Sequence, residues 1–226
     1  MFGPLHLKLL AAIALLAAIF ARRCRKMPAT RQFVRLALGW GLIGNELIWW
    51  CYRYSHEGIH VANLPLQLCD ITLWASALAC LTLLPPIVEL AYFAGLAGAG
   101  VALLTPDLWS PWPTYPAIYF FVAHGGIVIA AAVLVYGQVC PLEGKAVWRA
   151  YSLLAGYACL IGIFNKLCGT NYMYLCRKPK NASLLDALGP WPWYLLPAAV
   201  TALAVFWLLW LPLRSDSKPA RSQDAT

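Results

Sequence analysis

The chain has 226 residues, of which 62% are hydrophobic and 12% are charged. A soluble domain is about one-quarter charged and about half apolar, so this composition excludes a water-soluble enzyme. Apolar residues are also too abundant for a disordered chain. The net charge of +8 does not indicate a nucleic acid partner. Most of the excess lies in clusters beside apolar segments, where Lys and Arg set membrane topology and contact anionic lipids.

Seven apolar segments follow one another along the chain, each of about 20 residues, the length that a helix needs to cross a bilayer. They cover residues 5–21, 33–52, 66–84, 87–104, 117–136, 146–168 and 191–211. The pattern predicts an all-α fold, a polytopic transmembrane bundle of about seven helices with short loops. We expect residues 1–213 to form a single transmembrane domain and residues 214–226 to form a polar, flexible tail. The protein is therefore predicted to be a multi-pass integral membrane protein.

The connections after the second, fourth and sixth helices emerge on the same side of an alternating bundle. That side carries residues 56–68, the Pro- and Trp-rich residues 105–116 and the long connection 169–190. The connections on the opposite side are shorter or merely basic. We therefore expect the functional site near the more elaborate side.

Several polar side chains lie inside the predicted helices, where an ionisable group is costly and therefore marks a candidate site. They are Asn45, Glu46, Cys69, Asp70, His124, Asn165 and Lys166. All of them fall in the half of the membrane nearer the elaborate side. The alternative is that they form Glu–Lys or Asp–His pairs that only hold helices together.

The third helix carries a narrow polar stripe formed by Cys69, Thr72, Ser76 and Cys80. These positions recur on one helical face, which should therefore face protein or a cavity rather than lipid. Close helix packing by small residues is the alternative explanation. Both interpretations direct Cys69 inward.

His124 is followed by Gly125 and Gly126, which allow a backbone or a ligand to approach closely. If Pro65 and Pro116 mark the entries into the membrane, Cys69 lies about 6 Å deep and His124 about 12 Å deep. A buried thiol is a poor nucleophile unless a neighbouring base takes its proton. A catalytic pair of Cys69 and His124 is thus one hypothesis from the residues alone.

The segment His56-Glu57-Gly58-Ile59-His60 matches the zinc protease pattern H-E-x-x-H. That chemistry needs a helix and a third ligand, whereas Gly58 weakens the helix and the segment runs into a loop. We expect a polar lid at the water interface rather than a metal site. No metal and no other cofactor is predicted.

Six strings in this order resemble the YwaF-like bacterial integral membrane proteins, the prokaryotic relatives of transmembrane protein 164. They are LPLQLCD (residues 64–70), ELAYFAGLAG (89–98), ALLTPD (102–107), FFVAHGG (120–126), GTNYMYL (169–175) and LGPWPWY (188–194). The resemblance covers residues 63–211. The first two helices match only in hydropathy.

The resemblance implies a phospholipid-remodelling acyltransferase in which Cys69 is the nucleophile and His124 the base. Asp107 and Tyr172, which lie in two of the strings, are further candidates for substrate binding. Its membrane would be the bacterial plasma membrane. A more distant likeness to the androgen-induced lipid hydrolases, which use a Thr nucleophile, leaves plain hydrolysis open.

The acyl donor is expected to be a membrane phospholipid and the acceptor a lysolipid. Gln67 and Asn171 are candidates to stabilise the oxyanion, since helical backbone N–H groups are already in use. Asp70 lies about 100° around the helix from Cys69, so it is expected to orient a neighbour rather than touch the thiol. The cationic residues expected to hold the lipid phosphate are Lys166, Arg177, Lys178 and Lys180.

Three further hypotheses remain open from the sequence. The first is a small-solute or ion transporter that uses Glu46, Asp70 and His124, with Lys166, as a path through the membrane. The second is a membrane metalloprotease based on His56, Glu57 and His60. The third is a structural membrane subunit, in which none of these residues matters individually.

Overall fold

The structure is a computed structural model that describes residues 3–108, 110–179 and 184–214. Within these ranges the fold contains seven long helices and no strand, which confirms the predicted all-α class. The helices are α1 (Pro4–Lys26), α2 (Arg31–Glu57), α3 (Leu68–Thr82), α4 (Pro85–Leu104), α5 (Tyr115–Val135), α6 (Ala146–Cys168) and α7 (Leu195–Trp210). All but one residue of the predicted tail lies outside the described part of the chain.

Five of these helices, α1, α4, α5, α6 and α7, are long and apolar enough to cross a membrane. The chain is therefore a multi-pass membrane protein. Helix α3 is apolar but has only 15 residues, whereas α2 has 27 residues and includes five charged side chains. Helix α2 extends beyond residue 52, where the predicted segment ended. Its last turns are polar, so hydropathy did not include them in the apolar segment.

The main core lies between α2, α3, α4 and α5 and is completed by buried residues at the start of α6 and the end of α7. About half of α4 and two-thirds of α5 are buried, whereas most of α1, α6 and α7 is exposed to the surroundings of the bundle. Thr72, Ser76 and Cys80 of the polar stripe are all buried against protein. This confirms the inward direction predicted for that face of α3.

Helix α4 contains one π-helical segment, Ala91–Gly95. Such insertions are rare and often lie beside functional sites. At Gly95 a Cβ atom would lie 3.0 Å from Cγ2 of Ile127 and 3.6 Å from Oγ of Ser76. The glycine thus allows α4 to pack closely against α3 and α5, directly beside the polar stripe.

The end of the bundle opposite the elaborate side is held by charged contacts. Arg149 donates to the buried carboxylate of Glu89, with Nη2–Oε1 and Nε–Oε2 distances of 2.5 Å and 2.9 Å. Arg35 donates from Nη1 to the carbonyl oxygens of Cys80 and Leu81 at the C-terminus of α3. An arginine here stabilises carbonyl groups that the helix end leaves without partners.

Candidate active site

A cavity of about 660 Å³ opens between α2, α3, α4, α5 and the connection that follows α6. This volume is within the range of about 300–1,000 Å³ typical of small-molecule sites. Its polar lining includes Arg53, Glu57, Gln67, Cys69, Asp70 and His124, and its apolar lining includes Leu68, Leu73, Ala102, Phe120, Ala123 and Ile127. Cys69 and His124, which lie on different helices, therefore face one shared space.

Cys69 lies in the first turn of α3, where Asp70 accepts a hydrogen bond from the backbone N–H of Gln67 at 2.9 Å. This arrangement caps the start of the helix. The other carboxylate oxygen, Oδ1, is 3.9 Å from Sγ of Cys69, at the outer limit of a thiol hydrogen bond. The expectation that Asp70 would not touch the thiol was therefore wrong, because the capping geometry turns its side chain back over the N-terminus of the helix.

His124 is buried in α5, and its Nδ1 lies 2.8 Å from the carbonyl oxygen of Phe120. A carbonyl oxygen can only accept, so Nδ1 carries the hydrogen. In the neutral ring Nε2 then holds the lone pair, which is the form of a general base. Among the described residues Nε2 has no hydrogen-bond partner, and no direct hydrogen bond joins it to Cys69.

Gln67 is fixed by the connection after α6, because its Oε1 accepts from the backbone N–H of Met173 at 2.9 Å. This leaves the amide nitrogen of Gln67 as a donor beside Cys69. Met173 and Tyr174 have φ angles of 55° and 53°, which non-glycine residues adopt at a cost of about 1 kcal/mol or more. Both residues line the cavity, so a strained backbone segment forms part of its wall.

The phenol of Tyr174 lies outside the membrane-spanning helices. Desolvation raises its pKa above the ordinary value, and the nearby charge of Asp107 raises it further. The hydroxyl of Tyr194 donates to the backbone carbonyl of Tyr174 and ties this segment to the start of α7. A neutral hydroxyl is therefore available at this wall of the cavity.

A buried carboxylate lies behind the cavity wall. The hydroxyl of Tyr119 donates to Oε2 of Glu46 at 2.6 Å, and the ring of Tyr119 stacks on Trp49 with centroids 4.2 Å apart. Tyr119 and Trp49 line the cavity, whereas Glu46 is fully buried and does not. The transporter hypothesis placed Glu46 beside Asp70 and His124 in one path, but only the latter two line this cavity.

Two of the predicted residues have structural partners away from the cavity, and a third lies outside its lining. The amide of Asn171 donates to the Arg177 carbonyl and accepts from two backbone N–H groups, so it organises its own loop and is not placed to stabilise an oxyanion. The hydroxyl of Tyr172 donates to the Val61 carbonyl at 2.6 Å. Asp107 is exposed and lies outside the cavity lining.

The predicted phosphate-binding cations are not those of the cavity. Lys166 and Arg177 are exposed, and Lys178 lies 3.5 Å from Asp186 and over the ring of Tyr194. Lys180 lies outside the described residues. The cation that lines the cavity is Arg53.

Sequence reasoning missed Arg53, Tyr119, Met173 and Tyr174 as lining residues. A signal existed for Arg53, because Trp49, Arg53 and Glu57 repeat at intervals of four residues and so share one face of a helix. The predicted helix ended at residue 52, which hid this pattern. No local signal marks Met173 and Tyr174, since their position depends on how a long connection folds back.

The H-E-x-x-H pattern does not form the helical face that zinc ligands require. Helix α2 ends at Glu57, and Gly58 has φ 72°, so His60 lies beyond the helix. Glu57 instead pairs with Arg53, and Nδ1 of His56 lies 2.7 Å from the carbonyl oxygen of Tyr52. In the described part of the chain, no three His, Cys, Asp or Glu side chains are grouped to hold a metal ion.

Comparison with known proteins adds one finding. No curated protein and no solved structure matches the chain. The model of the TMEM164 family matches residues 1–210, so it includes the first two helices, which had matched only in hydropathy. With a match over nearly its full length, this chain belongs to the TMEM164 family.

Proposed function

We propose that this protein is a membrane-embedded lipid acyltransferase that works through a thioester on Cys69. The observation that carries the proposal is that Cys69 and His124 line one cavity. The end of α2 and the start of α3 give this cavity a polar rim, and apolar residues line it further inside. A bound phospholipid would place its ester carbonyl near the polar rim and its acyl chain in the apolar interior.

In the first half-reaction, Nε2 of His124 takes the thiol proton and Sγ of Cys69 attacks the ester carbonyl of a phospholipid. The ester C–O bond breaks, and the departing lysolipid oxygen takes the proton back from His124. The acyl chain is left as a thioester on Cys69. The amide nitrogen of Gln67 donates to the oxyanion of the tetrahedral intermediate. Before the attack, the Cys69 thiol turns away from Asp70 toward His124, because Cys69 and His124 are not hydrogen-bonded to each other in the resting structure.

In the second half-reaction, His124 removes a proton from the hydroxyl of a lysolipid acceptor, whose oxygen attacks the thioester. The C–S bond breaks, and the Cys69 thiolate regains the proton from His124. An apolar interior favours transfer over hydrolysis, because it keeps out the competing nucleophile, water. Membrane phospholipids and lysolipids are thus the proposed partners.

The test is incubation of the purified protein with a phospholipid labelled in its acyl chain, with and without a lysolipid acceptor. We expect labelled phospholipid to form from the acceptor and Cys69→Ala to lower its formation by on the order of 10³-fold. Cys159→Ala, at an exposed cysteine of α6, is the matched control.

The products decide between the candidate reactions. Labelled free fatty acid in place of acyl transfer, still dependent on Cys69, would assign hydrolysis at the same site. Equal product formation by the wild type and Cys69→Ala would contradict the proposal.

A further inference from the structure

Arg53 occupies a distinctive position at the mouth of the cavity. It lies one turn before the end of α2, between Trp49 and Glu57 on the same helical face, and all three side chains line the cavity. Among the described lining residues it is the only one that carries a permanent positive charge. Its side chain is 26% exposed, so it is reached from outside the bundle.

The guanidinium of Arg53 retains most of its binding capacity. Its Nε donates to Oε2 of Glu57 at 3.1 Å, and among the described residues its two terminal NH₂ groups have no hydrogen-bond partner. The planar arrangement of these donors suits two-point binding of a phosphate. The terminal NH₂ groups of Arg53 can therefore bind an anion without first breaking a hydrogen bond.

The contact with Glu57 does not lock the arginine in place. The Glu57 side chain is 54% exposed, and ion pairs with such exposure contribute little to stability. A phosphate can therefore share or replace the carboxylate as the partner of Arg53. The Glu57 carboxylate nevertheless offsets the charge of Arg53 and opposes an additional negative charge in the headgroup, as does the carboxylate of Asp70 in the same lining.

The residues that line the cavity beyond Arg53 determine which kind of anion fits it. From Arg53 the cavity passes to Gln67 and Cys69 at the start of α3, and then to Leu73 and Ile127 in its interior. A ligand that fills it has a phosphate at one end and an apolar chain at the other. Free phosphate would satisfy only the rim.

Building on the proposed acyl transfer, we propose that Arg53 binds the phosphate of the lipid substrate at the cavity mouth. Glu57, the ion-pair partner of Arg53, determines which headgroups Arg53 accepts. Arg53 would then position the ester bond next to Cys69, and it would distinguish phospholipids from neutral glycerides, which have the same chains but no phosphate.

The test measures binding of a fluorescent lysophospholipid to the purified full-length protein without an acyl donor, so that its result does not depend on catalysis. A monoacylglycerol with the same chain is the phosphate-free reference. We expect Arg53→Gln to weaken lysophospholipid binding about tenfold or more, the loss expected for charge-assisted hydrogen bonds, and to leave monoacylglycerol binding unchanged. Inorganic phosphate and glycerol phosphate should not displace the lipid at equal concentration.

Arg177→Gln is the matched control, since Arg177 is an exposed arginine outside the cavity. Arg53→Lys, which keeps the charge but not the planar donors, should fall between the wild type and Arg53→Gln. Glu57→Gln should raise the affinity for an anionic lysophospholipid relative to a zwitterionic one by a few-fold.

Unchanged lysophospholipid binding in Arg53→Gln, or equal losses for both lipids, would overturn the role of Arg53. Acyl transfer through Cys69 would not be affected by this result, because the experiment with labelled phospholipid tests it separately. A loss in Glu57→Gln as large as in Arg53→Gln would show that the ion pair is needed only for structure. Displacement by inorganic phosphate would assign Arg53 to free phosphate instead of lipid.

Discussion

The chemistry of the cavity depends on which side-chain atoms remain available for hydrogen bonding and proton transfer. His124 uses Nδ1 to hold its own helix, and Gln67 uses Oε1 to hold the connection after α6. In both side chains this leaves Nε2 for the cavity, as a base in His124 and as a donor in Gln67. Asp70 is also near the thiol, at 3.9 Å, so two groups compete as acceptors for its proton.

Reactivity of the thiol toward an alkylating agent distinguishes these two acceptors. We expect His124→Gln to slow the labelling of Cys69 by a membrane-permeant maleimide at least about tenfold, because the thiolate loses its base. Asp70→Asn keeps the oxygen that caps α3 and should slow the reaction much less. Mass spectrometry of the Cys69 peptide reports the rate.

The exposed Cys51, Cys159 and Cys168 are internal standards for this labelling experiment. If Asp70→Asn slows labelling of Cys69 and His124→Gln does not, Asp70 is the base, and the mechanism proposed above is wrong in that step.

At the level of helices, the site depends on how closely α2 lies against α3. Gly39 of α2 is buried, and a Cβ atom there would lie 2.8 Å from Cδ2 of Leu81 and 3.1 Å from the Ala77 carbonyl oxygen. The absence of a side chain at this position lets the two helices meet. Their other ends then bring Arg53 and Cys69 to the same cavity.

Gly39→Ala should therefore destabilise the protein relative to Gly41→Ala. Both substitutions favour the helical conformation by up to about 1 kcal/mol. Only Gly39→Ala crowds the Leu81 side chain and the Ala77 backbone of α3, at a cost of about 1–3 kcal/mol, because a Cβ at Gly41 meets nothing within 4 Å. Thermal unfolding in detergent measures the difference, and equal unfolding temperatures would refute this account of the packing.

The whole molecule separates a reactive end from a closed end. The cavity lies where α2 and α4 end and α3 and α5 begin, whereas Arg149 joins the early turns of α4 and α6 at the other end. Glu89 is 1% exposed, so its charge depends on Arg149 for compensation. Glu143 adds a second, exposed carboxylate at 3.0 Å.

Arg149→Met should destabilise the protein by about 3 kcal/mol, because it leaves Glu89 buried without its cation. The reactivity of Cys69 should not change in the same variant, since the substitution lies at the far end of the bundle. Lys145→Met, at an exposed position nearby, is the control and should leave the unfolding temperature unchanged. Altered labelling of Cys69 in a folded Arg149→Met protein would contradict the separation of the two ends.

Most of the helix arrangement was predictable because apolar runs of membrane length have few alternatives to helices. The predicted boundaries of the sixth helix, residues 146–168, match α6. The last helix begins at Leu195 instead of residue 191, because the Pro- and Trp-containing residues before it form turns. Hydropathy does not distinguish an interfacial turn rich in Trp from the first turn of a helix.

The amino-acid sequence by itself determined that the chain crosses the membrane several times and that Cys69 faces inward. Length, apolarity and helical periodicity are local properties, so they survive in the sequence. The tertiary structure alone decided that Arg53 lines the cavity and that Lys166 and Arg177 do not. It also decided that Asn171 is engaged within its own loop. These assignments depend on the direction of each side chain after packing and on the path of a long connection, which arise from contacts between residues far apart in the chain.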